Sequence, residues 1–191
     1  MKTINMKWTG IRPLLMHNGH LVDATNSYVK GIKKITDKGS KKMTDKDRMD
    51  RDRLEWEGSL YWDEELGPVI PSDNIERCLQ LGAQKQRKGK DVQAAVLCSE
   101  PLVKLHYDGP RNKDKLFASD RFTLKKSIRV QQSRLIRTRP MFPTGWWIEF
   151  SVEYDPSVIS DDSLIMDAAI DAGALVGLGD WRPKFGRFIV D

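Results

Sequence analysis

In the last fifteen residues of this chain, glycines follow a helix-like run and precede a strand-like run, an order that excludes two common nucleotide-binding folds. The segment reads Gly177-Leu178-Gly179-Asp180-Trp181-Arg182-Pro183-Lys184-Phe185-Gly186-Arg187-Phe188-Ile189-Val190-Asp191, with three glycines, three cations and three aromatics. A P-loop or a dinucleotide fingerprint runs strand, Gly-rich turn, helix, so that phosphate meets a helix N-terminus. Here the order is reversed. The segment instead predicts a loop of low side-chain bulk whose N–H groups approach a ligand, with Arg182, Lys184 and Arg187 around it. The alternative is a C-cap glycine followed by a packing turn, with basic residues on the surface.

The formal net charge of +5 over 191 residues is unevenly spread. Residues 30–53 hold ten Lys/Arg against five Asp, residues 84–90 four cations and no acid, and residues 110–139 ten cations against two acids. Residues 141–175 reverse this, with seven Asp/Glu and no Lys or Arg. One markedly positive surface is expected, as a polyanion-binding protein requires. The alternative is a set of solvated faces whose separation in sequence vanishes on folding.

The clearest strand is Trp146–Tyr154, where Trp146, Ile148, Phe150, Val152 and Tyr154 alternate onto one face. Upstream, Lys126–Thr138 carries Ile128, Val130 and Ile136, and a Pro/Gly turn over 139–145 predicts a hairpin between the two. Ile4, Met6 and Trp8 mark a first strand. A helix is expected from Ser72 or Asp73 to about Gln84, entered through Pro71. Another is expected from a Ser160 or Asp161 cap to about Leu175, with Leu164, Ile165, Ala168, Ala169, Ala172 and Leu175 as its apolar face. Val92–Leu97 reads as an extra strand and Phe185–Val190 as the last. Without the extra strand the order is β-α-β-β-α-β, a ferredoxin-like α+β arrangement in a single domain spanning 1–191. Residues 24–57 form a charged insertion after the first strand, helical and exposed over Thr44–Glu57 apart from Leu54 and Trp56.

No apolar run approaches the roughly 18 residues a membrane span needs, so no membrane partner is expected. Met1–Trp8 carries no signal-peptide core. Cys78 and Cys98 stand far apart without a metal-ligand array. No cofactor or metal is expected, and a reducing cytoplasm is the expected compartment.

Three segments resemble the RAMP superfamily of CRISPR systems, the guide-RNA-binding backbone subunits and related processing endonucleases. The first strand leads into Arg12-Pro13-Leu14-Leu15-Met16-His17. Val69-Ile70-Pro71-Ser72-Asp73-Asn74-Ile75 resembles the family's approach to its first helix, with Ser72-Asp73 where the family carries glycine. Gly177-Leu178-Gly179 with Phe185-Gly186-Arg187-Phe188 resembles its Gly-rich loop. The compact length is of a kind associated with phage or prophage members. The resemblance implies an RRM-like core that binds single-stranded nucleic acid, RNA in the first instance.

Under that implication, amides of the Gly177 and Gly179 loop with Arg182, Lys184 and Arg187 hold phosphates, and bases rest on Trp181. Arg12 and His17 lie at the end of the first strand, and Arg137 and Arg139 extend the track. Alternatively, Trp181 is a core or lid residue, and Arg137 and Arg139 pair with Glu149 and Glu153. The expectation is a non-catalytic binder, either a homo-oligomer or part of a protein complex. A second reading is a metal-independent ribonuclease using His17 and His20. A third is a decoy or interaction subunit that docks with a CRISPR-type complex.

Overall fold

The computed structural model describes residues 1–130 and 133–191, with side chains described outside 130–134, so the apolar position expected at Val130 lies outside the described side chains. After β1 (Lys2–Gly10) and the two-residue β2 (Leu14–Leu15), the chain forms α1 (Ser27–Thr36) and α2 (Asp45–Ser59). Strands β3 (Trp62–Asp63) and β4 (Gly67–Pro71) lead into α3 (Ser72–Ala83) and α4 (Gly89–Ala95). Strands β5 (Val96–Cys98) and β6 (Leu102–Lys104) follow, then the short α5 (Lys113–Phe117). The chain continues through β7 (Thr123–Val130), β8 (Ser133–Phe142), β9 (Trp147–Tyr154), α6 (Ser163–Asp171) and β10 (Phe188–Val190). As expected, this is an α+β protein, with three antiparallel sheets and six helices among the described residues. No described helix is long and apolar enough to cross a membrane.

The chain divides into two compact units, one made of Met1–Leu15, Trp62–Asp108 and Phe142–Asp191, the other of Met16–Tyr61 and Gly109–Met141. The first contains a four-stranded sheet in the order β10-β1-β9-β5. Alternation dictates its two faces. In β1, Met6 and Trp8 point inward opposite Phe150 and Ile148 of β9, and all four are buried. Trp8 stacks on Phe188 of β10 at 4.1 Å and meets Phe150 edge-on at 4.9 Å. On the inner side α3 and α6 pack together and bury Ile75, Leu79, Ile165 and Ala168. Each large apolar side chain so buried contributes about 1.5–3 kcal/mol.

The expected hairpin between Lys126–Thr138 and Trp146–Tyr154 does not form. Lys126–Thr138 contributes instead to both β7 and β8, which pair antiparallel from Thr123 opposite Pro140 to Val130 opposite Ser133. Strand β9 lies between β1 and β5, because its buried face matches the inward face of β1 in register, whereas Lys125, Lys126, Ser127 and Arg129 of β7 are exposed or half-exposed. The extra strand over Val92–Leu97 is also corrected: Val92 and Ala95, three apart and both buried, lie on α4, and the strand spans Val96–Cys98. Leu175 leaves the apolar face of α6 and is 55 % exposed. The helix there continues as a π turn over Ala172–Val176, whose wider turn shifts the phase of the residues it carries.

In the second unit, Thr44 and Asp47 form a reciprocal capping box that starts α2, with Thr44 Oγ1 accepting from the Asp47 amide at 3.1 Å. This helix is less exposed than its charge suggests. Trp56 is fully buried and donates from Nε1 to the Phe122 carbonyl at 3.1 Å, while Asp52 and Glu55 of the same helix are also buried.

Candidate nucleic-acid interface

The C-terminal loop is built by close approach to the chain that leaves β1. Gly177, Gly179 and Gly186 have φ of +81°, +82° and +73°, values that favour glycine. A Cβ on Gly186 would meet the Leu178 carbonyl, and one on Gly179 the Leu15 carbonyl at 2.2 Å. The loop amides follow the same logic. Those of Gly177, Leu178, Asp180 and Gly186 donate to the carbonyls of Ala172, Gly186, Leu15 and Pro13, each at 2.8 Å. The Trp181 amide donates to its neighbour's Asp180 carboxylate at 2.9 Å. The amides of Gly177, Leu178, Asp180, Trp181 and Gly186 therefore hold the loop to the protein by bonding to the chain's own acceptors.

The side chains are arranged differently. The Arg187 carbonyl accepts from the amides of Ile11 and Arg12 at 2.8 and 3.2 Å, and the Trp146 indole donates to the Arg12 carbonyl at 2.8 Å. These bonds fix Arg12 beside the loop. Together Arg12, Pro13, Pro183, Lys184, Phe185 and Arg187 line a cleft of about 550 Å³. Three of the six lining residues are cations, and none is acidic. Arg12 and Lys184 are exposed, and Arg187 is oriented by donation from Nε to the Pro183 carbonyl at 3.0 Å. Phe185 and the two prolines supply apolar walls. Arg182 is exposed within the same loop, and Trp181 lies 6.2 Å from Phe185, centroid to centroid. Phe185, Pro13 and Pro183 do not stand out in the sequence as site residues, although all three flank basic positions that do.

Arg137 and Arg139 take another role. Both belong to the second unit, where Arg139 is buried and donates to Glu55 at 2.9 Å and to Ser59 at 3.4 Å. Arg137 reaches the same carboxylate at 3.2 Å, and the Thr138 amide donates to its other oxygen at 3.2 Å. The partner they share is Glu55 on α2. The pairing had no local sequence signal, because 84 residues separate Arg139 from Glu55. His17 also lies in the second unit and is half-buried, its carbonyl accepting from the Tyr61 hydroxyl at 3.2 Å. His20 Nε2 is 2.7 Å from the Gly58 carbonyl, which only accepts, so that nitrogen carries the proton in this contact.

Inside the first unit, burial pushes the Cys78 thiol up to about 12, with Arg182 pulling weakly the other way. The thiol donates to the Gly177 carbonyl at 3.4 Å and so belongs to the scaffold under the loop. No protein-family model and no curated protein matches the chain.

Proposed function

We propose that this protein binds single-stranded nucleic acid, RNA in the first instance, in the cleft between Arg12 and the C-terminal loop. One observation carries the reading: Arg12, Lys184 and Arg187 converge on a cleft that has no carboxylate in its lining. Cations so placed attract phosphates, and the adjoining ring of Phe185 offers an unstacked base a surface to rest on. The volume falls in the range of about 300–1,000 Å³ common for ligand sites. Charge does the holding here, since the amides of Gly177, Leu178, Asp180 and Gly186 are engaged elsewhere.

The same reading takes the first unit as a ferredoxin-like, RAMP-like core. In its support, β1, α3, β5, β9, α6 and β10 follow one another in the chain, and the sheet order is β10-β1-β9-β5. RRM-type domains stack bases on the open sheet face. That face is a poorer candidate here. Its groove is lined by Glu100, Glu149 and Asp191 with Lys7 as the one cation, and Lys7 pairs with Glu149 at 3.6 Å. Its outward aromatic, Trp147, is stacked against His106 at 3.6 Å and lies 4.6 Å from the Lys7 ammonium.

The test is the affinity for labelled oligoribonucleotides as a function of salt, with the RNA recovered afterwards and sized. Intact RNA supports the binder. Fragments with 2′,3′-cyclic phosphate ends, lost in His17→Ala or His20→Ala, would establish the ribonuclease reading instead.

A further inference from the structure

In the second unit, the arginines of α2 and the lysines of α1 are arranged differently. The arginines of α2 are engaged with carboxylates: Arg48 with Asp45 at 2.9 Å, Arg51 with Asp52 at 2.6 Å, and Arg53 with Glu57 at 2.8 Å. On β7 and β8, Lys125 reaches Asp52 at 3.2 Å, and Arg137 and Arg139 share Glu55. Lysines of α1 and of the connector after it behave differently. Lys30, Lys33, Lys34, Lys41 and Lys42 are all exposed, and among the described residues none makes an ion pair or a side-chain hydrogen bond. Lys38, in the same stretch, pairs with Asp47 at 2.6 Å.

Helical spacing concentrates this charge. Val29, Ile32 and Ile35 are half-buried, and α1 packs on α2. Positions 30, 33 and 34 fall together on another face of the helix, one turn apart. The exposed Asp37 is the acid nearest that face in sequence. Lys34, at the edge towards α2, lines a groove together with Asp47, Asp50 and Glu57, whereas Lys30 and Lys33 are outside that lining. Three ammonium groups at this spacing repel one another, so the face is stabilised by an anion with repeated charges. Lysine is a mobile point charge suited to tracking phosphates without reading bases.

We infer that Lys30, Lys33 and Lys34 of α1, with Lys41 and Lys42, form a second, sequence-neutral contact surface for the nucleic-acid phosphate backbone. This rests on the proposed function and adds to it a site in the other unit. It assigns the backbone contacts of α1 to lysines the protein leaves unpaired, and excludes the paired arginines of α2.

The experiment compares wild type with a K30Q/K33Q/K34Q variant, using a fluorescent oligouridine titrated at several salt concentrations, with circular dichroism as the folding control. The variant is expected to keep its helix content, to bind on the order of tenfold more weakly near 0.1 M salt, and to show a log–log salt slope reduced by about 2, at about 0.7 per lost single-strand contact. Lys38→Gln, at a paired lysine, is expected to change the slope much less. If wild type binds the oligonucleotide and the triple variant matches it in affinity and slope, this inference is overturned while the proposed function stands. If wild type does not bind at all, the proposed function falls and this inference with it. Loss of binding to phosphatidylserine vesicles with unchanged oligonucleotide binding would overturn it in favour of a membrane surface.

Discussion

Gly179 lies so close to Leu15 that a Cβ on the glycine would fall 2.2 Å from the Leu15 carbonyl oxygen. The adjacent Asp180 amide donates to that same oxygen at 2.8 Å. The glycine is thus needed by the protein's own backbone.

Gly179→Ala is therefore expected to lower the melting temperature strongly, because positive φ and a backbone clash act together. Gly145 supplies the comparison: its φ is +94°, yet nothing lies within 4 Å of the point a Cβ would occupy. Gly145→Ala should cost only the conformational strain, about 1–3 kcal/mol. Equal losses for the two variants in parallel melts would contradict the close approach at Leu15.

Arg139→Ala removes a buried cation from Glu55 and leaves the carboxylate with the Thr138 amide and the half-exposed Arg137. Breaking a buried pair from one side costs about 3–5 kcal/mol. Arg137→Ala should cost about 1 kcal/mol or less, since solvent screens that pair. Urea denaturation of both variants checks the order, and a reversed order would mean that Arg139 is not the buried partner.

These residues also mark what the sequence made legible. Strict alternation over Trp146–Tyr154 and over Ile4, Met6 and Trp8 carried strands β1 and β9 with the correct faces, and Pro71 marked the start of α3. Strand partners were not legible, because pairing is a long-range match of faces: β9 joined β1 and β5, and the stretch before it paired with itself. The cleft was half legible. Arg12, Lys184 and Arg187 stood out by charge, but the contacts that bring Arg12 to Arg187 are backbone bonds between opposite ends of the chain. Arg137 and Arg139 looked available only because Glu55 is remote in sequence.

The thiols should be inert in the native state. Burial pushes Cys78 up to about 12 and Cys98 up to about 11. At pH 8 the Cys78 thiolate is then on the order of one part in 10⁴, and thiolate is the reacting form. Titration with an aromatic disulfide reagent should give little reaction until denaturant is added, with Cys98 reacting ahead of Cys78. Immediate release of a full equivalent from native protein would contradict this burial.

Asp47 sets an acid limit on the start of α2. Its carboxyl is held down to about 2, first by the hydrogen bond from Lys38 and then by the Thr44 amide and hydroxyl. A depressed value means that its contribution is complete above the ordinary carboxylate value, near 4, and is lost as pH falls towards 2. Carboxyl chemical shifts should show Asp47 titrating well below the ordinary carboxylate value, and Asp47→Asn should remove the acid sensitivity of the helix start. Titration of Asp47 at the ordinary carboxylate value would mean that the capping box does not form in solution.

The most direct test is the salt dependence of single-strand binding in wild type, Arg12→Ala and Lys184→Ala, measured by fluorescence anisotropy alongside melting curves. Wild type should bind oligoribonucleotides with an affinity that falls steeply as salt rises, because each phosphate contact releases condensed counterions. Each substitution should weaken binding and reduce the magnitude of the log–log slope by about 0.7–1, with the melting temperature nearly unchanged. A flat salt dependence in wild type, or variants that melt lower yet bind as wild type does, would contradict a nucleic-acid site at this cleft.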